Sequence, residues 1–401
     1  MTPAPDFRRR LAALGLTTTL LAVGVLPPPD GWARAALQSL RSPGPNRADH
    51  DASAGGYYEN LLGRPDAPRD EWTQRVLGPI DPGVSIHDIG AIRYLEGSFL
   101  EHDLAPDVRR TAFGVPFQTN SCGLRDREYP VRKPPGTFRI ALLGSSIDMG
   151  WGVAADAVYA RLLEQWLNAR AARLGRTRRF EVLNFAVAAY SPAQRLESYR
   201  RKAVRFDPDL VLYATTMLDP RLTAIHLCCL LRGRTDLRYD FIREAVAAAG
   251  IAADDVQLDA HGELLHKTAV RARLKAVSWP VAAGALGALA ADCRAAGRSL
   301  ACLIVPRVGP ADAPAPRAEA VARLRAIAAR HPVPVLDLSP AFDVEDPADL
   351  AIAACDDHPN ARGHRLLFRA LVRALVQNEA MDPVLFGGDF VGWVKPTKAL
   401  E

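Results

Sequence analysis

Cysteine is scarce in this sequence, and its spacing excludes the commonest zinc and redox motifs. The chain has six cysteines in 401 residues, and no two of them form a C-x-x-C pair. It also lacks an H-E-x-x-H motif and a P-loop, so it offers no recognisable site for a catalytic zinc ion or a nucleotide. Because six cysteines allow fifteen pairings, no disulfide can be assigned. We expect no disulfide scaffold, no metal site and no cofactor.

Lysine is rare as well, so the basic character of the chain comes from arginine. Only six of the fifty basic residues are lysine, and the net charge is +5. Basic runs interleaved with aromatic residues are typical of nucleic-acid binding, and the sequence contains none. We therefore expect no nucleic-acid partner. A hydrophobic content of 49% and a charged content of 24% are those of an ordinary globular protein.

One apolar run of sixteen residues, 11–26, stands near the N-terminus between the basic sequence FRRR and the sequence PPPDGWARA. This order of basic, apolar and small-residue segments is typical of a signal peptide, with a cleavage site at Ala33-Arg34-Ala35. The alternatives are an uncleaved anchor, since the run is near the short limit for a membrane span, and a buried core helix. We expect residues 1–35 to be a signal peptide or signal anchor. The protein would then be exported to the periplasm or another extracytoplasmic space, and would contact a membrane only if this segment is uncleaved.

The rest of the chain divides by composition into an extension, a domain and a tail. Residues 36–135 are rich in Pro, Gly, Asp and Arg, and predict an irregular N-terminal extension and lead-in. From residue 136 to 380, predicted strands and helices alternate, with an insertion at 232–276, and residues 381–401 form a C-terminal tail. Such alternation predicts a parallel sheet covered by helices on both sides. The five predicted strands are FRIALL (138–143), EVLNFAV (181–187), DLVLYAT (209–215), SLACLIVP (299–306) and PVLDLS (334–339).

The first predicted strand is followed by the most informative segment, RIALLGSSIDMGWGV (139–153). Its apolar run stops at Gly144, and two serines follow. A buried parallel strand delivers such a hydroxyl to the carboxyl edge of the sheet, where open α/β folds place their chemistry. Far downstream, CDDHPNARGH (355–364) sets carboxylates beside a histidine. Together the two segments supply a serine, a base and an orienting acid, the components of a nucleophilic hydrolase.

These segments resemble the first and last blocks of the SGNH/GDSL hydrolases, the first of which is usually written G-D-S-x-x-x-G. NFAVAAYSPAQ (184–194) is similar to the second block, N-x-G-V-x-G-Y-S. DPDLVLYATTMLD (207–219) resembles the strand that ends in the third block, N-D. The resemblance covers roughly residues 115–378. It implies a three-layer α/β/α, flavodoxin-like SGNH fold with a mostly parallel five-stranded sheet behind an N-terminal extension.

The resemblance also implies roles for particular residues. Ser146 stands at the position of the nucleophile, and Ser145 replaces the usual aspartate. His358, which precedes Pro-Asn, corresponds to the general base and acid, with His364 as the competitor. We expect the remaining histidines to be surface or core residues: His50, His87, His102, His226, His261, His266 and His331.

The acid that orients the histidine is less clearly marked. The commoner family spacing, D-x-x-H, falls on Cys355, which cannot act as the acid. Asp356 stands two residues before His358, as in members written D-x-H-P-N, and Asp357 stands one before. We choose Asp356 over Asp357. The other interpretation, open for Asp357 especially, is a solvated acidic turn that caps the last helix. Asp148, beside the serine, is expected to be a turn or cap residue.

The oxyanion hole is where the chain departs most from the family pattern. The family uses the backbone N–H of the serine, a glycine N–H in the second block and an asparagine side chain in the third. These positions are Ser146, Ala189 and Leu218 here, and Leu218 has no side-chain donor. Loss of one donor costs about 10²–10³ in turnover. The candidates to replace it are Asn184, Ser191, Thr215 and Thr216, of which we choose Thr216 as the nearest in sequence.

The sequence therefore predicts an exported serine hydrolase that acts on O-acyl or O-acetyl esters through an acyl-serine intermediate. Its substrate would be a small-molecule or carbohydrate ester. The lead-in at 115–140 resembles that of exported polysaccharide O-acetylation proteins, so an O-acyltransferase is one alternative. Within this lead-in, Asn120, Arg125 and Asp126 are expected to hold the segment against the domain. A catalytically degenerate SGNH-fold binding or scaffold protein of the cell envelope is the other alternative.

Overall fold

Strands and helices alternate along most of the chain in a computed structural model of the protein. The structure describes residues 86, 89–260, 262–309, 314–343, 346–353 and 356–388. The predicted signal segment at 1–35, the extension before residue 86 and most of the C-terminal tail lie outside the described residues. All described residues belong to one compact unit, Gly55–Glu401.

The strands, in chain order, are β1 (Ile92–Tyr94), β2 (His102–Leu104), β3 (Arg109–Ala112), β4 (Val115–Gln118), β5 (Thr137–Leu143), β6 (Arg179–Asn184), β7 (Leu210–Thr215), β8 (Ser299–Ile304), β9 (Val335–Asp337), β10 (Ala351–Ala353) and β11 (Asp356–Pro359). The α-helices are α1 (Ser146–Met149), α2 (Tyr159–Arg173), α3 (Pro192–Arg201), α4 (Asp219–Arg232), α5 (Asp240–Ala248), α6 (Lys267–Ala276), α7 (Ser278–Ala295), α8 (Pro314–Ala329), α9 (Pro347–Leu350) and α10 (Ala361–Gln377).

The central sheet has five strands in the order β6-β5-β7-β8-β9, and every neighbouring pair is parallel. All six residues of β7, LVLYAT, are buried. Strands of a parallel sheet read as continuous apolar runs because helices cover both faces. The predicted parallel sheet is therefore confirmed.

Alternate residues of β5 face opposite sides of this sheet, as the two-residue period of a strand requires. Ile140 and Leu142 pack in one apolar cluster with residues of α2 and α10. Ala141 and Leu143 pack in a second cluster with residues of α3, α4 and α7. The molecule thus has the predicted three layers, with a core on each side of the sheet.

The region before the sheet is more regular than the sequence predicts. β1 pairs with β2 and β3 pairs with β4, each pair antiparallel. These strands have three or four residues and sequences such as RRTA and HDL, which are too short and too polar to show an alternating pattern. We call residues 89–118 the N-terminal cover. Its Leu104 and Phe117 pack with Trp151 and Leu222, on the segments that follow β5 and β7.

The predicted insertion at 232–276 contains α5 and α6. Ile242 of α5 and Leu274 of α6 are buried in the cluster that also contains residues of α4 and α7. The insertion therefore enlarges the core on one face of the sheet. Across the described part of the chain, no single helix has both the length and the hydropathy of a membrane span; α6 and α7 reach them only together, with a bend of 56° between them.

Candidate active site

The sequence around Ser146 folds as a tight strand–turn–helix. Ser145 is the extended N-cap residue of α1, and Ser146 is the first residue of this one-turn helix. Gly144 is required at the turn because a Cβ atom there would lie 2.2 Å from a carboxylate oxygen of Asp148. Gly150 ends the helix in the left-handed conformation, with φ of 85°. The turn places Ser146 at the carboxyl edge of the sheet, beyond β5.

Asp148 stabilises this turn from inside the protein. One of its carboxylate oxygens accepts the Ser145 N–H at 2.8 Å, and the other accepts the hydroxyl of Tyr159 at 2.7 Å. Burial raises the pKa of Asp148, against the lowering effect of these hydrogen bonds. Its two carboxylate oxygens are thus engaged in shaping the turn, as expected for a turn or cap residue.

The structure brings together Ser146, His358 and Asp356. His358 Nε2 lies 2.7 Å from Ser146 Oγ, and His358 Nδ1 lies 2.5 Å from Asp356 Oδ1. Asp356 and His358 are two residues apart on β11, so both side chains project from the same face of that strand. Ser146 is 1% exposed, His358 4% and Asp356 8%. The arrangement is a buried hydrogen-bonded chain of acid, imidazole and hydroxyl.

His358 and Asp356 shift each other's pKa values in opposite directions. Burial alone would lower the pKa of His358, but the charge and hydrogen bond of Asp356 outweigh it, so the pKa lies above the usual 6.5. Burial alone would raise the pKa of Asp356, but the charge and hydrogen bonds of His358 lower it. Asp356 is therefore ionised, and an imidazolium formed at His358 would be stabilised.

The two alternatives from the sequence have other partners in the structure. His364, in α10, is fully buried and its ring stacks on Tyr159 at 5.9 Å between centroids. Burial, with the nearby charges of Arg125 and His358, lowers the pKa of His364 to about 3, so it remains a neutral core residue. Asp357 forms an ion pair with Arg307.

The two backbone amides predicted as oxyanion donors belong to the serine turn and to the loop after β6. The loop after β6 is linked to the serine turn by a hydrogen bond from the Val187 N–H to the Gly144 carbonyl, at 3.4 Å. Ala189, in this loop, has φ of 60°. This is the left-handed conformation that glycine adopts most readily, and the family pattern has glycine here. No described residue accepts a hydrogen bond from the N–H of Ser146 or of Ala189.

Three of the four side chains considered as a third donor are engaged elsewhere. The Asn184 amide donates to the Asp148 carbonyl at 2.8 Å. The Thr215 hydroxyl donates to the Leu303 carbonyl at 2.8 Å. The Ser191 hydroxyl lies 2.9 Å from His226 Nδ1 and caps α3.

Thr216 differs from these three. Its hydroxyl oxygen accepts the Leu218 N–H at 3.0 Å, and no described residue accepts its proton. The side chain is 1% exposed. Thr216 therefore keeps a hydroxyl proton that is free to be donated.

Leu218 and Asp219 show how the third family block has changed. Leu218 is the buried residue before the first turn of α4 and carries no side-chain donor. Asp219 forms a bidentate pair with Arg195, at 2.7 and 2.9 Å, and both residues are fully buried. The aspartate of this block is thus part of an internal ion pair.

The lead-in is attached to the serine turn, as the sequence predicts for Arg125. Its guanidinium donates to the carbonyls of Met149 and Gly150, at 2.9 and 2.8 Å, and also to that of Val153. Asp126 accepts the Asn184 N–H at 3.1 Å. Asn120 holds the lead-in's own backbone, since its amide donates to the Arg127 carbonyl at 2.8 Å.

His102 makes a contact near the site that the sequence does not indicate. It lies on β2 in the N-terminal cover, and its Nε2 is 2.8 Å from the carbonyl oxygen of Ala188. Nothing in the three-residue sequence of this strand distinguishes His102 from an ordinary core histidine. Only the fold brings it to the second family block.

A cavity of about 170 Å³ lies beside the serine turn, lined by Arg125, Asp126, Arg161 and Asn184 among others. Neither Ser146 nor His358 lines it. A cluster of potential metal ligands is formed by Asp356, Asp357 and His358, with ligand atoms within 4.8 Å. Both ring nitrogens of His358 are already hydrogen-bonded, however, so the cluster fits proton transfer better than metal binding.

Comparison with known proteins gives one family and several similar folds. A model of the GDSL-like lipase/acylhydrolase family matches residues 142–366. No curated protein matches the chain.

The similar solved structures include three different enzymes. LAE5, an α/β hydrolase enzyme from the metagenome of Lake Arreo, Spain, is 19% identical with a TM-score of 0.37, over 59% of this chain and 94% of that one. Axe2, an acetylxylan esterase from Geobacillus stearothermophilus, is 15% identical with a TM-score of 0.38, over 59% and 93%. EstA, a psychrotrophic esterase from Pseudoalteromonas sp., is 13% identical with a TM-score of 0.35, over 59% and 96%.

Proposed function

Because this chain belongs to the GDSL-like lipase/acylhydrolase family, we propose that it cleaves an ester bond through an acyl-Ser146 intermediate. Family membership supports ester hydrolysis in general. The observation that carries the mechanism is the hydrogen-bonded chain from Asp356 through His358 to Ser146, with distances of 2.5 and 2.7 Å. These groups come from segments more than two hundred residues apart and meet at the edge of the sheet.

In the first step, Ser146 Oγ attacks the carbonyl carbon of the ester while His358 Nε2 takes the hydroxyl proton. The carbonyl π electrons move to the oxygen, which becomes a tetrahedral oxyanion. Asp356 accepts the Nδ1 proton of His358 in a hydrogen bond, and so holds the ring with Nε2 directed at the serine. Its ionised carboxylate stabilises the imidazolium.

The oxyanion is stabilised by the N–H groups of Ser146 and Ala189. The Thr216 hydroxyl adds the third donor, in place of the asparagine side chain that Leu218 lacks. Preorganised donors of this kind contribute much of the rate in acyl transfer because they need no reorganisation when charge develops.

Collapse of the oxyanion breaks the bond to the alcohol oxygen, which takes the proton from His358 and leaves. A water molecule then gives a proton to His358 and attacks the acyl-Ser146 carbonyl. Collapse of this second oxyanion breaks the bond to Ser146 Oγ, which takes the proton back from His358, and the carboxylic acid is released. If a sugar hydroxyl replaces water in this step, the same site transfers the acyl group. The substrate proposed is therefore an O-acyl or O-acetyl ester of a small molecule or carbohydrate.

A fluorophosphonate probe tests this proposal, because it phosphonylates an activated serine. We expect the unsubstituted chain to be labelled and to hydrolyse p-nitrophenyl acetate, and Ser146→Ala and His358→Ala to lose both activities. Ser145→Ala is the matched control: it removes the neighbouring hydroxyl and should still be labelled.

Equal labelling of all four proteins would refute the assignment of Ser146. No labelling of the unsubstituted chain would instead favour the scaffold protein. Product analysis with a carbohydrate alcohol present separates hydrolysis from transfer: free carboxylic acid indicates the first, and a new carbohydrate ester indicates the second.

We also propose that the protein is exported and acts outside the cytoplasm. The support is the sequence of residues 1–35 alone, with its basic, apolar and small-residue segments. An extracytoplasmic location is consistent with an ester substrate of the cell envelope.

A further inference from the structure

The N-terminal cover makes a hydrogen bond to the peptide unit that carries a proposed oxyanion donor. His102 is fully buried, and its Nε2 lies 2.8 Å from the carbonyl oxygen of Ala188. A carbonyl oxygen can only accept, so Nε2 carries the proton and donates. The other ring nitrogen, Nδ1, has no hydrogen-bond partner in the described part of the chain. The imidazole thus has one polar contact, made to this one carbonyl.

The Ala188 carbonyl and the Ala189 N–H belong to the same planar peptide unit. In a trans peptide the two groups point in opposite directions across the C–N bond. A donor that holds the carbonyl on one side therefore fixes the direction of the N–H on the other. We propose that His102 is a positioning residue for the oxyanion hole: by holding the Ala188 carbonyl, it keeps the Ala189 N–H directed at the reacting oxygen. The inference rests on the proposed function.

This chain has a specific need for such a contact. Ala189 has φ of 60°, in the region that costs an L-residue more than it costs glycine. An alanine left free would tend to rotate this peptide into a more favourable conformation. The hydrogen bond from His102 opposes that rotation, so the site keeps the geometry without the glycine.

The chemistry of the contact also suits the role. Burial lowers the pKa of His102, although the Ala188 carbonyl and the charge of Asp103 oppose this. The ring is therefore a neutral donor and adds no charge that would compete for the oxyanion. A hydrogen bond to a carbonyl also polarises its peptide unit, which strengthens the N–H as a donor.

Other hydrogen bonds attach the same cover segment without touching this peptide unit. His226 Nε2 donates to the Phe99 carbonyl at 2.8 Å, and the Gln194 amide donates to the Leu100 carbonyl at 2.7 Å. The Tyr190 hydroxyl donates to the carbonyl of His102 itself at 2.9 Å. They allow attachment of the cover to be separated from control of the peptide.

The experiment compares His102→Gln with His102→Met, in the full chain. The two side chains are of similar length, but only glutamine can donate to the Ala188 carbonyl. Tyr190→Phe is the matched control, because it removes one attachment of the cover and keeps the ring. The measurements are kcat and KM for p-nitrophenyl acetate, and the inhibition constant of phenylboronic acid, whose tetrahedral adduct with serine uses the oxyanion hole.

For His102→Met we expect kcat to fall about 10- to 100-fold, less than the full loss of an oxyanion donor. KM should stay within about twofold, since the contact acts on the transition state, and the affinity for phenylboronic acid should fall in parallel with kcat. His102→Gln should recover most of the loss, and Tyr190→Phe should remain close to the unsubstituted enzyme.

An unchanged kcat and boronate affinity in His102→Met would overturn the inference. An equal loss in Tyr190→Phe would also overturn it, because attachment of the cover would then explain the effect. If His102→Met does not fold, the double variant His102→Met with Ala189→Gly tests the inference instead. Glycine adopts the left-handed conformation without the hydrogen bond from His102. The double variant should have a higher kcat than His102→Met alone, or should fold where His102→Met alone does not. If Ala189→Gly gives neither gain, the inference is wrong. Failure of the unsubstituted chain to react with a fluorophosphonate would reject the proposed function itself.

Discussion

Asp356 and Asp357 are adjacent in sequence but have different partners. Asp356 is hydrogen-bonded to His358 Nδ1 and is almost fully buried, whereas the Asp357 side chain is 39% exposed and pairs with Arg307. The strand geometry of β11 explains the difference, since consecutive side chains face opposite ways. Only the carboxylate two residues from the histidine can share its face.

We therefore expect Asp356→Asn to lower kcat by about 10²–10⁴-fold, in the range seen when the acid of a Ser-His-Asp triad loses its charge. Asp357→Asn, the same chemical change one residue away, should lower kcat by less than about threefold. Steady-state hydrolysis of p-nitrophenyl acetate measures both. Similar losses in the two variants would mean that the orienting acid has been assigned wrongly.

The pH profile provides a second measurement on this pair. His358 acts as a base only when neutral, and its pKa is raised above 6.5, so kcat/KM should fall as the pH drops through a value above 6.5. The charge of Asp357 contributes to that raised pKa. In Asp357→Asn the acidic limb should consequently move to lower pH, while the plateau is retained. An acidic limb that does not move would show that the charge of Asp357 does not affect the pKa of His358.

The first turn of α4 shows how an element can keep part of a family motif for its stability. Asp219 and Arg195 join α4 to α3 through a bidentate ion pair, and Arg195 also donates to the Ala214 carbonyl at the end of β7. Both charges are removed from water, so each depends on the other. In this chain the aspartate thus helps to hold three elements together beside the site.

Asp219→Ala should lower the free energy of unfolding by about 3–5 kcal/mol, because it leaves the Arg195 charge buried and uncompensated. The double variant Arg195→Met with Asp219→Ala should recover part of this loss, since no unpaired charge remains. Urea denaturation followed by circular dichroism measures both. If the double variant is less stable than Asp219→Ala, the charge is not the cause of the loss.

The elements that the sequence predicts best are those whose pattern follows directly from burial. β5, β7 and β8 are mainly apolar runs of six or seven residues because helices cover both faces of the sheet, and β6 has a shorter apolar stretch. The sequence predicts each of the four to within a few residues. The strands of the N-terminal cover have three or four residues and carry Arg, His and Asp, so neither alternation nor propensity marks them.

The candidate site divides in a similar way. The positions of Ser146, His358 and Asp356 could be proposed from motif spacing, because Ser146 follows a strong strand and the other two stand beside Pro-Asn in the last family block. The left-handed conformation of Ala189 and the hydrogen bond from His102 to the Ala188 carbonyl could not. They depend on a peptide orientation and on a packing contact between segments 86 residues apart, which no local pattern encodes.

At the scale of the whole molecule, the N-terminal cover forms one apolar cluster with the segments that follow β5, β6 and β7. Phe113 and Phe117 of the cover pack edge-on against Trp151, at 5.7 and 5.9 Å between centroids. These contacts cover the segment that follows the serine helix α1. The chain upstream of the residues that the family model matches therefore packs against the segments that carry the candidate site.

The remaining question at this scale is where the chain works, and residues 1–35 allow a direct test. Basic residues before an apolar run favour insertion into the export machinery, and a small-residue site after it favours cleavage. Expressed with its full N-terminus in a bacterial host, the protein should appear outside the cytoplasm. A soluble form lacking residues 1–35 by intact mass would identify a signal peptide. A full-length form in the membrane fraction would identify an anchor.

The control variant replaces Arg8, Arg9 and Arg10 with glutamate, which removes the positive n-region and leaves the apolar run intact. We expect this variant to remain in the cytoplasm at full length, and a chain that starts at residue 36 to remain there too. If the unsubstituted chain stays in the cytoplasm at full length, export is wrong. The apolar run would then be explained by the third interpretation of the sequence, a buried core helix, and the proposed substrate would have to be an intracellular ester.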